Sequence, residues 1–482
     1  MKKSRARLLG QLHLVKRQQK TACKKEAAMW RDVSKRPYNR NIQKAVDAAS
    51  KSGDTVYIPA GTYPIDETIR LPTCVSLVGD GFCSIIQLNS NRRDNVIVAD
   101  GYPFASDTWS AGTFRGETRN LHIANLRIRG NGTATGAWQY IWGGCGIMLL
   151  AATDCIIENC WIENCYREGI VLSTGMGIDN PDKIGSLRNV IRNCHISGCG
   201  GNGIDLTGGV RNEAIGSNFA LIEGCYLENN GIQGIRVVNS RFVRVVNNTV
   251  VGGHEDGIRI DQCTHILVIG NVVLDNTVDS NGIKFSHSLY CSAIGNACHN
   301  NNKPNLELLN SQWCMLAHNM ATESDEWGII SRTQVSSSQP IDVDILPPYQ
   351  DVSTRQYQVR AWINTGHTIE GNLAGNNGSG GIALEGTQNS IVSGNVAALN
   401  NQSHGDWGVA GIQVTGELVP SVENIVADNR CYDDQENQTQ EYGLNFGTGP
   451  NLVIGNDTVR NRSAGFVDYS DDNNVTGSQN NR

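Results

Sequence analysis

A short motif, Gly-Ile-x-apolar, recurs along the chain as REGIVL, GNGIDL, IQGIRV, EDGIRI, SNGIKF, EWGIIS, SGGIAL, VAGIQV and EYGLNF. Read as strands with alternating side chains, each copy turns its Ile inward and the next residue outward. The first outward column then runs Val171, Asp205, Arg236, Arg259, Lys284, Glu307, Ile330, Ala383, Gln413. The second runs Ser173, Thr207, Val238, Asp261, Ser286, Leu309, Arg332, Glu385, Thr415. Charge gathers in consecutive copies between residues 205 and 307. Arg259, Lys284, Asp261, Asp256, Asp279 and His287 are therefore the residues expected to do chemistry. Arg236, Asp205, Glu307, Trp327 and Arg332 are expected to hold a substrate. A cationic stripe suits an anionic sugar such as a uronate. In β-elimination an Arg or Lys neutralises the carboxylate while a second basic group or His removes the α-proton. The bland alternative is a surface salt-bridge ladder, Asp205 to Arg236 and Glu307 to Lys284, contributing about 0–1 kcal/mol per pair. Three cations on successive rungs repel one another, which argues against a ladder built only for stability.

Glycoside hydrolysis is the rival chemistry. It needs two carboxylates about 5–5.5 Å apart for retention or about 6.5–9.5 Å for inversion. Asp261 and Glu307 are two rungs and one strand step apart, roughly 12 Å between backbones, a poor fit. Asp256 and Asp279, in adjacent turns before the same strand, make the better pair. Trp138, Tyr140 and Trp142 form an aromatic cluster suited to stacking on sugar rings. His254, His265 and His287 sit at different offsets from the motif, so no metal centre is expected. Asp-rich turns (Asp342, Asp344, Asp351; Asp468, Asp471, Asp472) carry oxygen ligands of the kind calcium takes, but nothing else supports a site, and no cofactor is expected.

The elements that must position these residues follow from a second repeat. The pattern apolar-x-Asn-x-apolar places asparagine at Asn125, Asn159, Asn193, Asn248, Asn271, Asn296, Asn319, Asn372, Asn395, Asn429, Asn456 and, less regularly, Asn480, with Gly224 in one slot. The long spacing from Asn319 to Asn372 holds an insertion or an extra coil. Strands of four to six residues, each closed by Gly or Asn, are too short for cores of their own. Stacked coil on coil they bury a continuous interior and align the asparagines into a hydrogen-bonding ladder. The expected fold is all-β, a single-stranded right-handed parallel β-helix of about twelve coils. Residues 39–51 carry Ile42, Ala45, Val46 and Ala49 at helical spacing and precede a strand at 55–63, which reads as a short N-terminal capping helix. The expected organisation is a basic arm at 1–36, capping helix and first coils at 37–119, and the β-helix at 120–482. Insertions at 174–187, 208–219 and 333–360 all follow the C-terminal end of one strand and would wall a groove.

Composition agrees. The 482 residues include 53 Gly and 50 Asn, only 6% aromatics and 18% charged residues, which suits a turn-dense β protein. No stretch of 18 apolar residues exists, and no membrane partner is expected. Residues 1–36 hold twelve Lys or Arg against Glu26 and Asp32; this surplus of +10 leaves −17 on the rest of a chain whose net charge is −7. Such an arm suits docking to a larger particle, with nucleic acid the less favoured partner. No secretory signal is recognisable, which implies cytoplasmic synthesis followed by incorporation in a virion or export by another route. The 15 cysteines lack metal-ligand spacing and read as small buried apolar residues in a reducing compartment.

The run NIQKAVDAASKSGDTVYIPAGTYPIDETIRLPTCVSLVGDG (41–81) resembles the opening of the pectate-lyase-like superfamily, the branch shared by phage tailspikes, polygalacturonase-like hydrolases and uronan epimerases. With the coils at 120–480, the resemblance covers about nine tenths of the chain. It implies a carbohydrate ligand, most often polysaccharide, and an assembly that often trimerises. It implies no reaction, because this fold carries lyases, hydrolases, epimerases and adhesins. The polygalacturonase motifs are not reproduced: Gly253-His254-Glu255-Asp256-Gly257 stands without a recognisable RIK. The YG-x-DPH signature of mannuronan epimerases is also absent. The reading favoured by sequence is a carbohydrate-active protein, lyase-like on an acidic glycan, in a tailspike-like or secreted context. Its rivals are a glycoside hydrolase or transglycosidase using Asp256, Asp279 or Asp261, and a non-catalytic glycan-binding adhesin.

Overall fold

The computed structural model describes residues 29–89, 94–100, 117–132, 143–173, 185–208, 216–334, 363–405, 408–416, 418–476 and 479–480. Three long parallel sheets, here A, B and C, contain 16, 15 and 14 strands. Each coil contributes one strand to A, then B, then C, and every pairing among the described strands is parallel and joins equivalent positions of successive coils. The chain is a right-handed parallel β-helix. Sheet C holds two strands more than the asparagine spacing counts, because the coils before residue 120 lack that motif. Across the long Asn319–Asn372 spacing, Ile329–Arg332 pairs directly with Ile382–Glu385, so the spacing holds an insertion and no extra coil.

The capping helix is Ile42–Ala49, with Asn41 as N-cap accepting the Lys44 backbone N–H at 2.8 Å. Its Ile42, Ala45, Val46 and Ala49 are buried over the first coil, the four residues its periodicity selects. The strand expected over 55–63 is two strands, Thr55–Ile58 and Gly61–Ile65, interrupted at Pro59. The arm boundary at 36 also needs correction: Trp30–Asp32 pairs with Thr55–Tyr57 and begins sheet A. Residues 1–28, and most of the three insertions, lie outside the described residues.

The corner between sheets A and B explains the asparagines. Asn125, Asn159 and Asn193 occupy left-handed backbone (φ 55, 51 and 51°), a slot that passes to Gly224, Asn247 and Gly270 in later coils. The buried position one residue on holds Cys160, Cys194 and Cys225, and then the continuous ladder Asn248, Asn271, Asn296, Asn319, Asn372, Asn395, Asn429, Asn456. Each amide in the ladder donates to the next amide oxygen at 2.9 Å. Cys225 joins it through its backbone N–H, 2.9 Å from Asn248 Oδ1. The expected ladder therefore forms from Asn248 onward, while Asn125, Asn159 and Asn193 belong to the neighbouring slot. Asn480 pairs opposite Thr458, off the ladder.

Thirteen described cysteines are free thiols, and all but Cys83 are buried. Cys74 is disulfide-bonded, which corrects the reading of every cysteine as a reduced core residue.

Candidate active site on sheet C

The strand register reproduces both outward columns. Asp205, Arg236, Arg259, Lys284 and Glu307 are successive partners across sheet C, followed by Ile330, Ala383 and Gln413. Val238, Asp261, Ser286, Leu309 and Arg332 align beside them. A third polar column was not foreseen. It lies two residues before each inward Ile and comprises Glu168, Asn202, Gln233, Asp256 and Asn281, all buried. The visible signal was a polar residue before Gly-Ile in five successive copies, REGIVL to SNGIKF, in a position that reads as an ordinary turn.

These columns form a connected charge network. Arg236 Nη1 is 3.7 Å from Asp205 Oδ2. Arg259 bridges two carboxylates, with Nη1 3.6 Å from Asp256 Oδ2 and Nη2 3.6 Å from Asp261 Oδ2. Glu307, 0% exposed, takes Lys284 Nζ at 2.8 Å and Arg332 Nε at 2.5 Å. The pairs Asp205–Arg236 and Glu307–Lys284 are thus those of the ladder alternative. Their carboxylates are buried, however, so this is a desolvated network and not a surface one. Each cation has a carboxylate beside it, which removes the argument from uncompensated repulsion. Burying carboxylates costs more than solvated pairs return, and such arrangements are concentrated at functional sites.

The electrostatics are specific. Burial pushes the Asp256 carboxyl up from the ordinary aspartate range, against the pull of Lys284, Asn281 and Arg259. Asp256 Oδ1 accepts both the backbone N–H (3.0 Å) and the side-chain amide (2.8 Å) of Asn281. Burial also raises Asp205, with Arg236 opposing it, and raises Glu255, helped by the nearby Asp256. His287 moves down: burial favours the neutral imidazole, Asp261 opposes this, and Arg259 and Lys284 reinforce it. Its Nδ1 is 2.9 Å from Ser286 Oγ, and its Nε2 is 3.4 Å from Asn310 Nδ2.

Several expected residues do not join this constellation. Asp279, with its side chain 84% exposed, is 3.7 Å from Lys303 at the surface, so the Asp256–Asp279 pairing is replaced by Asp256–Asp261 around Arg259. Trp327 is fully buried and cannot stack on a sugar. Its indole lies against Gly380 and Gly408, where an added Cβ would fall 2.2 and 3.0 Å from the ring, and it clusters with Ile330 and Ala383. A second buried apolar cluster, Val98, Cys145, Met148, Leu150 and Val171, bounds the charged stretch on its N-terminal side. Trp138, Tyr140 and Trp142 lie outside the described residues. His265 faces an aromatic column and His254 a different turn. Among the described residues no three His, Cys, Asp or Glu side chains are grouped to hold a metal.

Comparison with known proteins agrees with the fold. The family model described as rhamnogalacturonase A/epimerase, pectate lyase-like, matches residues 38–264. That stretch, just under half of the chain, is similar to the pectate-lyase-like family, and the chain as a whole is a right-handed parallel β-helix. A model described as periplasmic copper-binding protein (NosD) matches residues 211–342. No curated protein matches the sequence. Among solved structures, the A-module of mannuronan C-5 epimerase AlgE4 from Azotobacter vinelandii is 15% identical, with a TM-score of 0.54 over 90% of this chain and 95% of that one. The pre-mature bacteriophage phi29 gene product 12 is 15% identical at TM-score 0.57, over 89% of this chain and 55% of that one. The Dettilon tailspike protein is 12% identical at TM-score 0.50, over 87% and 68%. At these identities the likeness is one of fold.

Proposed function

We propose that this β-helix binds a polysaccharide on the outer face of sheet C and cleaves it by acid–base catalysis between Asp256 and Asp261. The observation that carries this is the pair of carboxylates flanking Arg259 at 3.6 Å each, one buried and one reached by solvent. Sharing one guanidinium keeps them within about 10 Å of each other, inside or near the span of about 6.5–9.5 Å used for inverting hydrolysis. Asp256, whose carboxyl burial pushes up from the ordinary aspartate range, acts as general acid toward the leaving glycosidic oxygen. Asp261, 3.6 Å from Arg259 Nη2 and reached by solvent, activates water. Asn281 and Arg259 orient Asp256; Arg236, Asp205, Lys284, Glu307 and Arg332 shape the floor and set its charge. Pectate-lyase-like relatives named for rhamnogalacturonan and mannuronan chemistry support a carbohydrate ligand.

A second reading, β-elimination on an acidic glycan, is favoured by one observation: His287 is held neutral beside Lys284 and Arg259, as a base for an α-proton requires. The compensation of every nearby cation by a carboxylate ranks it behind hydrolysis. The likeness to phage proteins supports a virion or extracellular setting, with the basic residues ahead of Trp30 docking to a larger particle and the subunits assembled as a trimer. Among the described residues no helix is long and apolar enough to cross a membrane.

The test is digestion of acidic and neutral glycans side by side, read for new reducing ends and for ultraviolet absorbance of a new double bond. Reducing ends alone are expected. Reducing ends with absorbance would transfer the chemistry to His287; glycan retention with neither signal would make this an adhesin.

A further inference from the structure

Inside the corner between sheets C and A, three groups able to do redox chemistry share one buried slot. Cys291, Cys314 and His367 each precede a sheet A strand, and those strands pair in register, Ser292 with Met315 and Met315 with Thr368. Backbone bonds join the three rungs directly: Met315 N–H donates to the Cys291 carbonyl at 2.9 Å and Thr368 N–H to the Cys314 carbonyl at 3.0 Å. The rungs are those that carry Lys284, Glu307 and Arg332 on the outer face of sheet C. In this slot a side chain accepts the backbone N–H of the coil before it. His367 does so through Nδ1, 3.1 Å from Cys314 N, as Asn424 does toward Ser390 at 3.0 Å. The other ring nitrogen, His367 Nε2, is buried and has no partner.

We propose that Cys291 and Cys314 are an oxidation site, joined by hydrogen peroxide into a disulfide that staples two coils behind the sheet C charge network. Rungs about 4.8 Å apart put the two Cα atoms inside the 4.4–6.8 Å range of disulfides, and the Cβ atoms need to close by only a few tenths of an ångström. Burial opposes ionisation of Cys314, yet its contacts with Cys291 and His367 prevail and draw that thiol below the ordinary range; burial and Cys314 push Cys291 up. One sulfur is thus the nucleophile and the other keeps its proton. The Cys314 thiolate attacks a peroxide oxygen, the O–O bond breaks, and hydroxide leaves with the proton Cys314 gave up, as water. Cys291 sulfur then attacks the resulting sulfenic acid, the S–O bond breaks, and the departing hydroxide takes the Cys291 proton. Two thiols and one peroxide become one disulfide and two waters. The groups are buried, so the oxidant is peroxide-sized and enters when the corner opens locally. Two other thiol stacks lack the imidazole. Cys160, Cys194 and Cys225 end on Asn248, and Cys165 and Cys199 end on Asn230. There the neighbouring thiol and burial push Cys165, Cys194 and Cys225 up.

The test treats the full chain with hydrogen peroxide, blocks remaining thiols by alkylation and maps peptides without reduction; it needs no glycan and is independent of the sheet C reading. One new disulfide, Cys291 to Cys314, is expected, with the other two stacks alkylated. It should raise the melting midpoint by about 2 °C or more, a gain absent from peroxide-treated Cys291→Ser, which keeps the Cys74 disulfide. In Cys291→Ser the sulfenic acid at Cys314 should be trapped by dimedone. His367→Asn keeps the acceptor for Cys314 N–H and should slow oxidation at least tenfold at neutral pH, with the two rates converging as pH rises through the ordinary thiol range. Alkylation of both Cys291 and Cys314, or a disulfide in another stack first, overturns the site. An unchanged midpoint overturns the staple, and a wild-type rate in His367→Asn overturns the part given to the imidazole.

Discussion

Asp256 carries two consequences that can be separated. Its folded-state pKa lies above that of the unfolded chain, so between the ordinary aspartate range and the raised value the native state holds the extra proton. Stability conferred by that proton is present at low pH and is lost as pH rises through this window. Asp256→Asn is therefore expected to melt about 1–2 °C higher than wild type near neutrality, an advantage that disappears in acid; thermal melts at several pH values decide it. His287 has the opposite sign. Its pKa is depressed, so the unfolded chain takes up a proton first as pH falls, and stability drops from the ordinary imidazole range down to the lowered value. His287→Gln should flatten that part of the profile, and a profile unchanged by it would contradict the burial assigned to the ring.

At the scale of elements, the ladder and its neighbouring slot respond differently to mutation. Asn296 donates to Asn319 and to the Val268 carbonyl, and accepts from the amide and backbone N–H of Asn271. Asn296→Ala leaves several of these groups unpaired in the interior and should cost at least about 2 kcal/mol in urea unfolding. Asn159→Gly, at an exposed left-handed corner, should change stability by less than about 1 kcal/mol. This distinction was not visible in the sequence, because both slots favour asparagine and differ by one residue. The outward columns from Asp205 to Glu307 were legible in full, since strand alternation and the fixed Gly-Ile register leave no freedom to slip. The column containing Asp256 and Asn281 was not, because it precedes the motif in a turn whose side chains obey no alternation rule. Nor was the burial of Trp327, which depends on Gly380 and Gly408 in two later coils. The pairing of Arg259 with both Asp256 and Asp261 likewise depends on rotamers, not on spacing.

For the whole molecule, the solenoid keeps its charge network on the outer face of sheet C, bounded by buried apolar clusters. A rigid ladder of parallel strands fixes side chains on adjacent rungs at nearly constant spacing, which is what an acid–base pair requires. Arg259→Lys keeps the charge but loses the fork that reaches both carboxylates, and should lower turnover by at least roughly tenfold in a reducing-end assay. The central claim is that cleavage is carried out by Asp256 and Asp261 and not by surface carboxylates near them. Its most direct test is the initial rate of reducing-end release from the cleaved glycan by Asp256→Asn, Asp261→Asn and Asp279→Asn. The expected result is a loss of roughly 10²-fold or more for each of the first two, with Asp279→Asn within about threefold of wild type. Wild-type rates for Asp256→Asn and Asp261→Asn would contradict it.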